Sequence, residues 1–185
     1  IERPQADAEF ADDESIPLDG HSVAGRLAAF LTASIPDEAL LDSARGGRLD
    51  SRRGILREVD RLLRQGGARS LAERFATQWL HVEGLERLEP DPARFGDISV
   101  ALLADMREET IRVFEELVEQ DRSIPSLFQD STSWWSPALA THYGLDPIEL
   151  DLRPSGFSRV DLSEVGFPQA DLGILRHASV LSVTS

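Results

Sequence analysis

The sequence contains no cysteine. Disulfides, thiolate metal sites, cysteine nucleophiles and covalent haem attachment are therefore excluded within this chain. It contains no lysine either; all 19 basic residues are arginine. Without a side-chain amine there is no Schiff base and no phosphate-loop lysine. The simpler reading of this bias is a GC-rich coding sequence, although arginine also suits planar pairing with carboxylates. Positive charge is scarce: 33 acidic residues leave a formal charge of −14. That balance disfavours nucleic acid and anionic membranes as partners, because phosphate recognition needs clustered positive charge. Long apolar runs are missing too. Leu27–Leu31 falls far short of the roughly 20 residues that span a bilayer.

What is present is enough for a core. Hydrophobic residues make up 41% of the 185 positions, which rules out wholesale disorder. The length suits one domain, or one domain with an added lobe. Residues 1–19 are acidic and poorly periodic, with Asp12-Asp13-Glu14 and two prolines, and read as a linker or edge segment. They lack the charged start, apolar middle and small-residue cleavage site of a signal peptide, and no initiator Met precedes them, so the chain is expected to begin inside a longer one.

From residue 20 the pattern is helical. Val23, Leu27, Phe30 and Leu31 share one helix face. Pro36 suits the first turn of a second helix, with Leu40, Leu41 and Ala44 inward and Gly46-Gly47 as its stop. Asp50 or Ser51 caps a third helix, carrying Ile55, Val59, Leu62 and Leu63 and ended by Gly66-Gly67. A fourth runs from about Ala68, with Leu71, Phe75, Trp79 and Leu80 on its buried face. Asp97 caps the longest helix, to about Gln120, whose stripe is Val100, Leu103, Met106, Thr110, Val113, Phe114 and Leu117. A single turn starts at Ser123-Ile124-Pro125. A short helix follows Trp134-Trp135 from Pro137 to Tyr143, closed by Gly144 in a left-handed cap. Residues 145–168 read as loop with a short strand at Phe157 to Val160. The apolar end, Leu172 to Val183, reads as a helix that packs back, with Arg176 and His177 toward solvent or a partner. The expected fold is all-α: an irregular bundle of about five to seven helices with a loop-rich C-terminal part. The expected boundaries are a linker or edge at 1–19, a helical domain at 20–168, and the start of a following domain, packed on the helical body, at 169–185.

Residues that could carry chemistry are sparse. His21, His81, His142 and His177 include no pair spaced by three or four, and no zinc-binding helix motif occurs. Each is read as a hydrogen-bonded structural histidine. Glu108-Glu109 and Glu115-Glu116 could pair as acid and base. A solvated face with ion pairs is the simpler reading, Glu108 meeting Arg112 while Glu109 sits nearer the apolar stripe. Serine-nucleophile elbows and dinucleotide-binding glycine loops are absent. Met106, the sole methionine, is a conceivable haem ligand, but on a helix stripe it reads as core filler. Trp134 and Trp135 point to different sides in any regular structure, so one anchors the core and the other is free to meet a neighbour. No catalytic, cofactor-binding or metal-binding residue is assigned.

Several ordered stretches resemble one bacterial family: Ala24-Gly25-Arg26-Leu27, Pro36-Asp37-Glu38-Ala39-Leu40-Leu41, Phe75-Ala76-Thr77-Gln78-Trp79-Leu80, Met106-Arg107-Glu108-Glu109-Thr110, Asp121-Arg122-Ser123, Leu139-Ala140-Thr141-His142-Tyr143-Gly144-Leu145, and residues 174–185. In order and spacing they resemble domain-of-unknown-function family 1592, running at the end into the start of family 1588. The resemblance covers nearly the whole chain from His21. It implies an extracytoplasmic, periplasmic multidomain setting with a cytochrome c-type module nearby, and haem c in adjacent domains rather than in this chain. It carries over no catalytic residues. The chain departs from the family pattern at Thr32, at Ser136-Pro137 and around Asp171-Leu172.

The resulting expectation is a non-catalytic helical domain that supports or docks a cytochrome c-type electron-transfer module. The alternative is an enzyme domain, a hydrolase or oxidoreductase, completed by flanking segments. Expected partners are a neighbouring cytochrome-like domain or protein, with no nucleic acid and no membrane span, and with self-association left open.

Overall fold

A computed structural model describes residues 18–88, 93, 98–168 and 170–184. Residues 1–17 and Asp97, the expected edge segment and helix cap, lie outside the described residues. The architecture is mostly helical, with eight α-helices and one two-stranded sheet among the described residues. The chain divides into two compact units, Ile1–Leu71 and Ala72–Ser185.

The first unit is built from capped helices. Helix α1 (Gly20–Thr32) starts where Asp19 accepts the Ser22 N–H at 2.7 Å. Helix α2 (Glu38–Arg45) starts where Asp37 accepts the Leu40 N–H at 2.8 Å. After a 3-10 turn at Arg48–Asp50, Ser51 caps α3 (Arg52–Leu62). The helical path breaks at Gln65-Gly66, where Gly66 takes φ +98°, and resumes as α4 (Ala68–Leu71). Ala24, Ala28 and Leu31 of α1 pack with Leu40, Ala44, Leu49 and Leu62. Phe30 is exposed, against expectation. The inner face of α1 is lined by alanines, which let neighbouring backbone approach closely: a Cβ on Gly20 would lie 3.2 Å from the Ala44 carbonyl oxygen.

The second unit begins with a wide π turn, Ala72–Ala76, leading into α5 (Thr77–Trp79) and a 3-10 turn at Val82–Arg87. The expected buried face of this stretch is corrected: Phe75 and Trp79 are 46% and 43% exposed, while Ala72, Ala76 and Thr77 are buried. The wide turn admits an extra residue, so a 3.6-residue pattern drawn through it slips off the true inner face. Helix α6 (Val100–Glu119) is capped by Ser99, which accepts the Leu102 N–H. Its stripe is buried at Leu103, Met106, Thr110, Phe114 and Leu117. Val100, at the helix start, is exposed instead.

Beyond α6 come a 3-10 turn at Ile124–Phe128, strand β1 (Thr132–Trp135), helix α7 (Pro137–His142) and strand β2 (Ser158–Asp161). The strands pair antiparallel, Thr132 opposite Asp161 and Trp135 opposite Ser158. Gly144 closes α7 at φ +81°. A broken 3-10 segment, Ala170–Arg176, precedes α8 (Ala178–Thr184). The core gathers Leu85, Leu103, Met106, Trp135, Leu139, Val160 and Leu162. The C-terminal segment packs inward through Ile174, Ala178 and Val180. The expected orientation of Arg176 and His177 toward solvent is corrected; both are buried. Gly173, at φ +51°, breaks the helical path and turns Ile174, Arg176 and His177 inward while Leu172 and Leu175 stay exposed.

Candidate functional site

Helix α6 presents Asp105, Glu109 and Glu116, four and seven residues apart and so on one side of the helix. Each receives side chains from the β1–α7 segment. Ser136, which also caps α7, donates to Asp105 Oδ2 at 2.5 Å. Trp134 donates its indole N–H to Glu116 Oε2 at 2.6 Å, and Arg159 of β2 donates to Glu116 Oε1 at 2.8 Å. Glu109 lies deepest. Its Oε1 accepts from Ser133 Oγ at 2.7 Å and from Trp135 Nε1 at 2.8 Å, and its Oε2 accepts from Tyr143 Oη at 2.7 Å. A buried carboxylate is tolerable only with such partners.

The C-terminal segment completes the cluster. Tyr143 Oη accepts the Ala178 N–H at 2.9 Å. Burial and the adjacent Glu109 push the Tyr143 phenol well above its ordinary value. Thr110 Oγ1 lies 3.0 Å from His177 Nδ1 and 2.6 Å from Ser179 Oγ. His177 Nε2 lies 3.9 Å from Glu109 Oε1, outside hydrogen-bond range, and has no hydrogen-bond partner. Burial holds the imidazole pKa below its ordinary value. Arg176 donates to the backbone carbonyls of Asp130, Thr132, Ala170 and Gly173.

By residue type this is an acid, an imidazole and hydroxyls in one cluster. Its geometry is not that of a working site. Glu109, Thr110, His177 and Ser179 are each at most 1% exposed. The hydroxyls point at the cluster's own members, so no nucleophile reaches a substrate. The cluster is a structural bolt joining α6, β1, α7 and the C-terminal segment. Helical spacing puts Glu109 beside the apolar stripe, and the structure has it buried there. Nothing local reveals its donors, which come from 24 to 34 residues away. Thr110 within an otherwise apolar stripe was the available hint.

The other expected contacts divide. Glu108 and Arg112 meet at 2.6 Å. Met106 is buried core. Trp135 anchors the core and Trp134 is half-buried, the Arg112 guanidinium 5.7 Å from its ring centre. His21, His81 and His142 are exposed; His142 adjoins the cluster, its ring centre 5.6 Å from that of Tyr143. Among the described residues, no group of three or more His, Asp or Glu side chains is placed to hold a metal ion, and no helix is long and apolar enough to cross a membrane.

The first unit holds a smaller polar cluster. Ser43 donates to Glu58 Oε1 at 2.6 Å, and Arg61 donates to Glu58 Oε2 at 2.7 Å and to both oxygens of Asp37. Burial pushes the Glu58 carboxyl up, but the bonds from Ser43 and Arg61 outweigh it and leave the pKa lowered. The hydrogen bond from Arg61 likewise lowers Asp37.

A second apolar feature lies at the surface of the Ala72–Ser185 unit. Phe75 stacks on Trp79 at 6.0 Å between ring centres, Trp79 meets Phe128 edge-on at 6.3 Å, and Phe75 leans on Phe114 at 5.7 Å. The ring series runs from the core to the surface, and exposed Ile124, Leu172 and Leu175 lie on the elements adjoining Phe128.

Against known proteins, no curated protein matches the chain, and no solved structure does. One family model matches, described as PSD4, protein of unknown function (DUF1592), over residues 18–145. It spans most of the chain, including the three carboxylates of α6 and every donor they receive from β1 and α7. The chain therefore belongs to the DUF1592 family.

Proposed function

We propose that this domain is a non-catalytic docking module that supports a cytochrome c-type electron-transfer partner in an extracytoplasmic, periplasmic multidomain protein. The observation that carries the reading is the aromatic series Phe75–Trp79–Phe128, in which Phe75 and Trp79 are exposed and Phe128 is half-buried, with exposed Ile124, Leu172 and Leu175 on its own and the adjoining element. Exposed aromatics of this kind are the usual anchors of protein interfaces. The polar residues that a catalytic reading would need are instead consumed in the buried Glu109 cluster. Family membership supports the setting, since the chain's C-terminal residues resemble the opening of family 1588 and the resemblance implies a haem-bearing neighbour. In this reading residues 169–185 lead into that following domain while closing the core of this one.

The test uses the purified chain and a haem c domain taken from the same polypeptide or operon. Haem quenches nearby indole emission, so docking should quench the protein's tryptophan fluorescence in a saturable titration. Trp79→Ala should weaken binding at least about tenfold, equivalent to about 1.4 kcal/mol, while leaving thermal stability within about 1.5 kcal/mol of the parent. Trp135→Ala should instead cost about 3–5 kcal/mol of stability. Binding unchanged by Trp79→Ala, or no binding by the parent chain, would remove the proposal.

A further inference from the structure

Two surfaces of this chain carry opposite charge around an exposed aliphatic side chain. The first is the outer face of α3, where Arg52, Arg53, Leu56, Arg57 and Asp60 line one shallow groove. Spacings of three and four residues make them neighbours along the helix surface. All five are exposed, and Leu56 follows Arg52 and Arg53 by one turn and adjoins Arg57. Arg48 and Arg61, by contrast, are taken up by Ser43, Asp37 and Glu58. The second surface is the loop after Gly144, Asp146-Pro147-Ile148-Glu149-Leu150-Asp151. Leu145, Leu150 and Leu152 pack against the core of their own unit. Asp146 Oδ1 accepts the Ile148 N–H at 2.8 Å, the Asp146 carbonyl accepts the Leu150 N–H at 3.2 Å, and the Pro147 carbonyl accepts the Leu152 N–H at 3.0 Å. The loop is thus held in one shape, with Ile148 85% exposed and Asp146, Glu149 and Asp151 exposed around it. Among the described residues no ion pair engages these three carboxylates, and none engages Arg52, Arg53 or Arg57.

We propose that these surfaces meet between copies of this chain: the 146–151 loop of one copy seats on the α3 groove of the next, Ile148 against Leu56 and the carboxylates among Arg52, Arg53 and Arg57. The complement is chemical on both counts, three carboxylates to three guanidinium groups and one aliphatic side chain to another. Asp60 gives the contact a direction. It repels the loop's charge from the far end of the groove, so the carboxylates lie toward the first turn of α3, where the helix dipole also favours them. Because the loop is already fixed, little ordering is lost on contact. Nucleic acid and anionic lipid fit the groove less well, since the net charge of −14 repels a polyanion. Groove and loop are different surfaces, so the contact is head-to-tail and its repetition gives a ring or an open chain. Its small area and exposed charges make the association weak and salt-sensitive. It uses none of Phe75, Trp79 and Phe128 and is independent of the docking proposal above.

Sedimentation of the full chain, 20.4 kDa as a monomer, tests this. At about 20 mM salt the weight-average mass should climb with concentration to at least about 1.5 times the monomer mass, and it should return to the monomer value at about 0.5 M salt, where exposed charges are screened. Two variants separate the halves of the contact. Arg53→Gln with Arg57→Gln blunts the groove and keeps the loop; Ile148→Gln with Glu149→Gln blunts the loop and keeps the groove. All four positions are exposed, so the packed residues of both units are untouched. Each variant alone should stay monomeric at concentrations where the parent associates. An equimolar mixture of the two should regain association and level off at a dimer, because only one intact loop and one intact groove are then available to each pair. A parent that is monomeric at low salt, association that survives either pair of changes, or a mixture that stays monomeric would each overturn the proposal. Association that persists at high salt and is lost with Trp79→Ala would also overturn it, by assigning the contact to the aromatic face.

Discussion

Trp135 donates its indole N–H to Glu109 Oε1 at 2.8 Å across 26 positions of sequence. The bond fixes the core tryptophan in azimuth as well as depth, because the ring must both fill the core and present its one donor to a carboxylate. Tyr143 lies against the same indole, with ring centres 4.9 Å apart, and reaches the other oxygen of Glu109. One carboxylate thus orients two aromatic rings, and β1 and α7 dock on α6 in one register.

Removing that carboxylate should cost more than an ordinary buried hydrogen bond. Glu109→Ala would leave the hydroxyls of Ser133 and Tyr143 and the indole N–H of Trp135 without an acceptor. At about 1–3 kcal/mol for each unsatisfied group, the loss should exceed about 3 kcal/mol. Glu109→Gln keeps the volume but replaces an acceptor with a donor, and should cost about 1–3 kcal/mol. Urea unfolding should show both as lowered midpoints with an unchanged slope. A midpoint unmoved by Glu109→Ala would mean that the cluster contributes nothing.

His177 should make stability depend on pH. Burial, with Arg176 nearby, holds its folded pKa below the ordinary 6.5, and Glu109 opposes this only in part. Below pH 6.5 the unfolded chain therefore takes up a proton that the folded chain refuses. The contribution is complete above pH 6.5 and is lost as pH falls toward the depressed folded value, by up to about 1.4 kcal/mol per pH unit. Denaturant midpoints measured from about pH 7.5 to about pH 5, a span of about two and a half units, should decline for the parent and decline less for His177→Gln. Equal declines would assign the pH dependence to other groups.

Much of the helical skeleton is legible in the sequence, because caps and glycine stops are local. Ser51 accepts the Gly54 N–H as expected, and Asp37, Ser99 and Ser136, not singled out as caps from the sequence, likewise each accept an N–H three residues on. Facing is less legible. Phe30, Phe75 and Trp79 look like core residues by hydrophobicity, yet Ala24, Ala28, Ala72 and Ala76 occupy the inner positions. Close helix approach selects small residues, and a wide turn moves the face; a periodic count registers neither. Strand β1 is not legible although Thr132, Trp134 and Trp135 are good strand formers, because four residues are too few for alternation to show. The burial of Glu109 and His177 was illegible for a different reason: the partners that make it affordable are far apart in sequence and meet only after folding.

Two glycines should respond differently to the same substitution. A Cβ on Gly173 would fall 2.0 Å from the Leu127 carbonyl oxygen, at φ +51°. Gly144 has φ +81° but open space around its Cβ position. Gly144→Ala should therefore carry only the left-handed backbone cost of about 1–2 kcal/mol. Gly173→Ala should cost clearly more than that, because the Ala170–Arg176 segment must also move away from Leu127 and Phe128. Thermal denaturation of the two variants checks the order; equal losses would mean that the close approach at Gly173 carries no energetic weight.

The stitching of His177 and Ser179 to Thr110, across 67 and 69 positions, has a consequence for the order of events during synthesis. The contacts of the first unit close over short spans and can form as soon as α3 leaves the ribosome. The second unit has no such freedom. Until residues 176–180 emerge, Tyr143 lacks the Ala178 N–H, and the place of the His177 imidazole in the core is empty. For that interval α6 is a half-covered amphipathic helix with carboxylates on its inner side. Those carboxylates keep the waiting helix hydrated and discourage it from meeting other chains before residues 176–180 arrive.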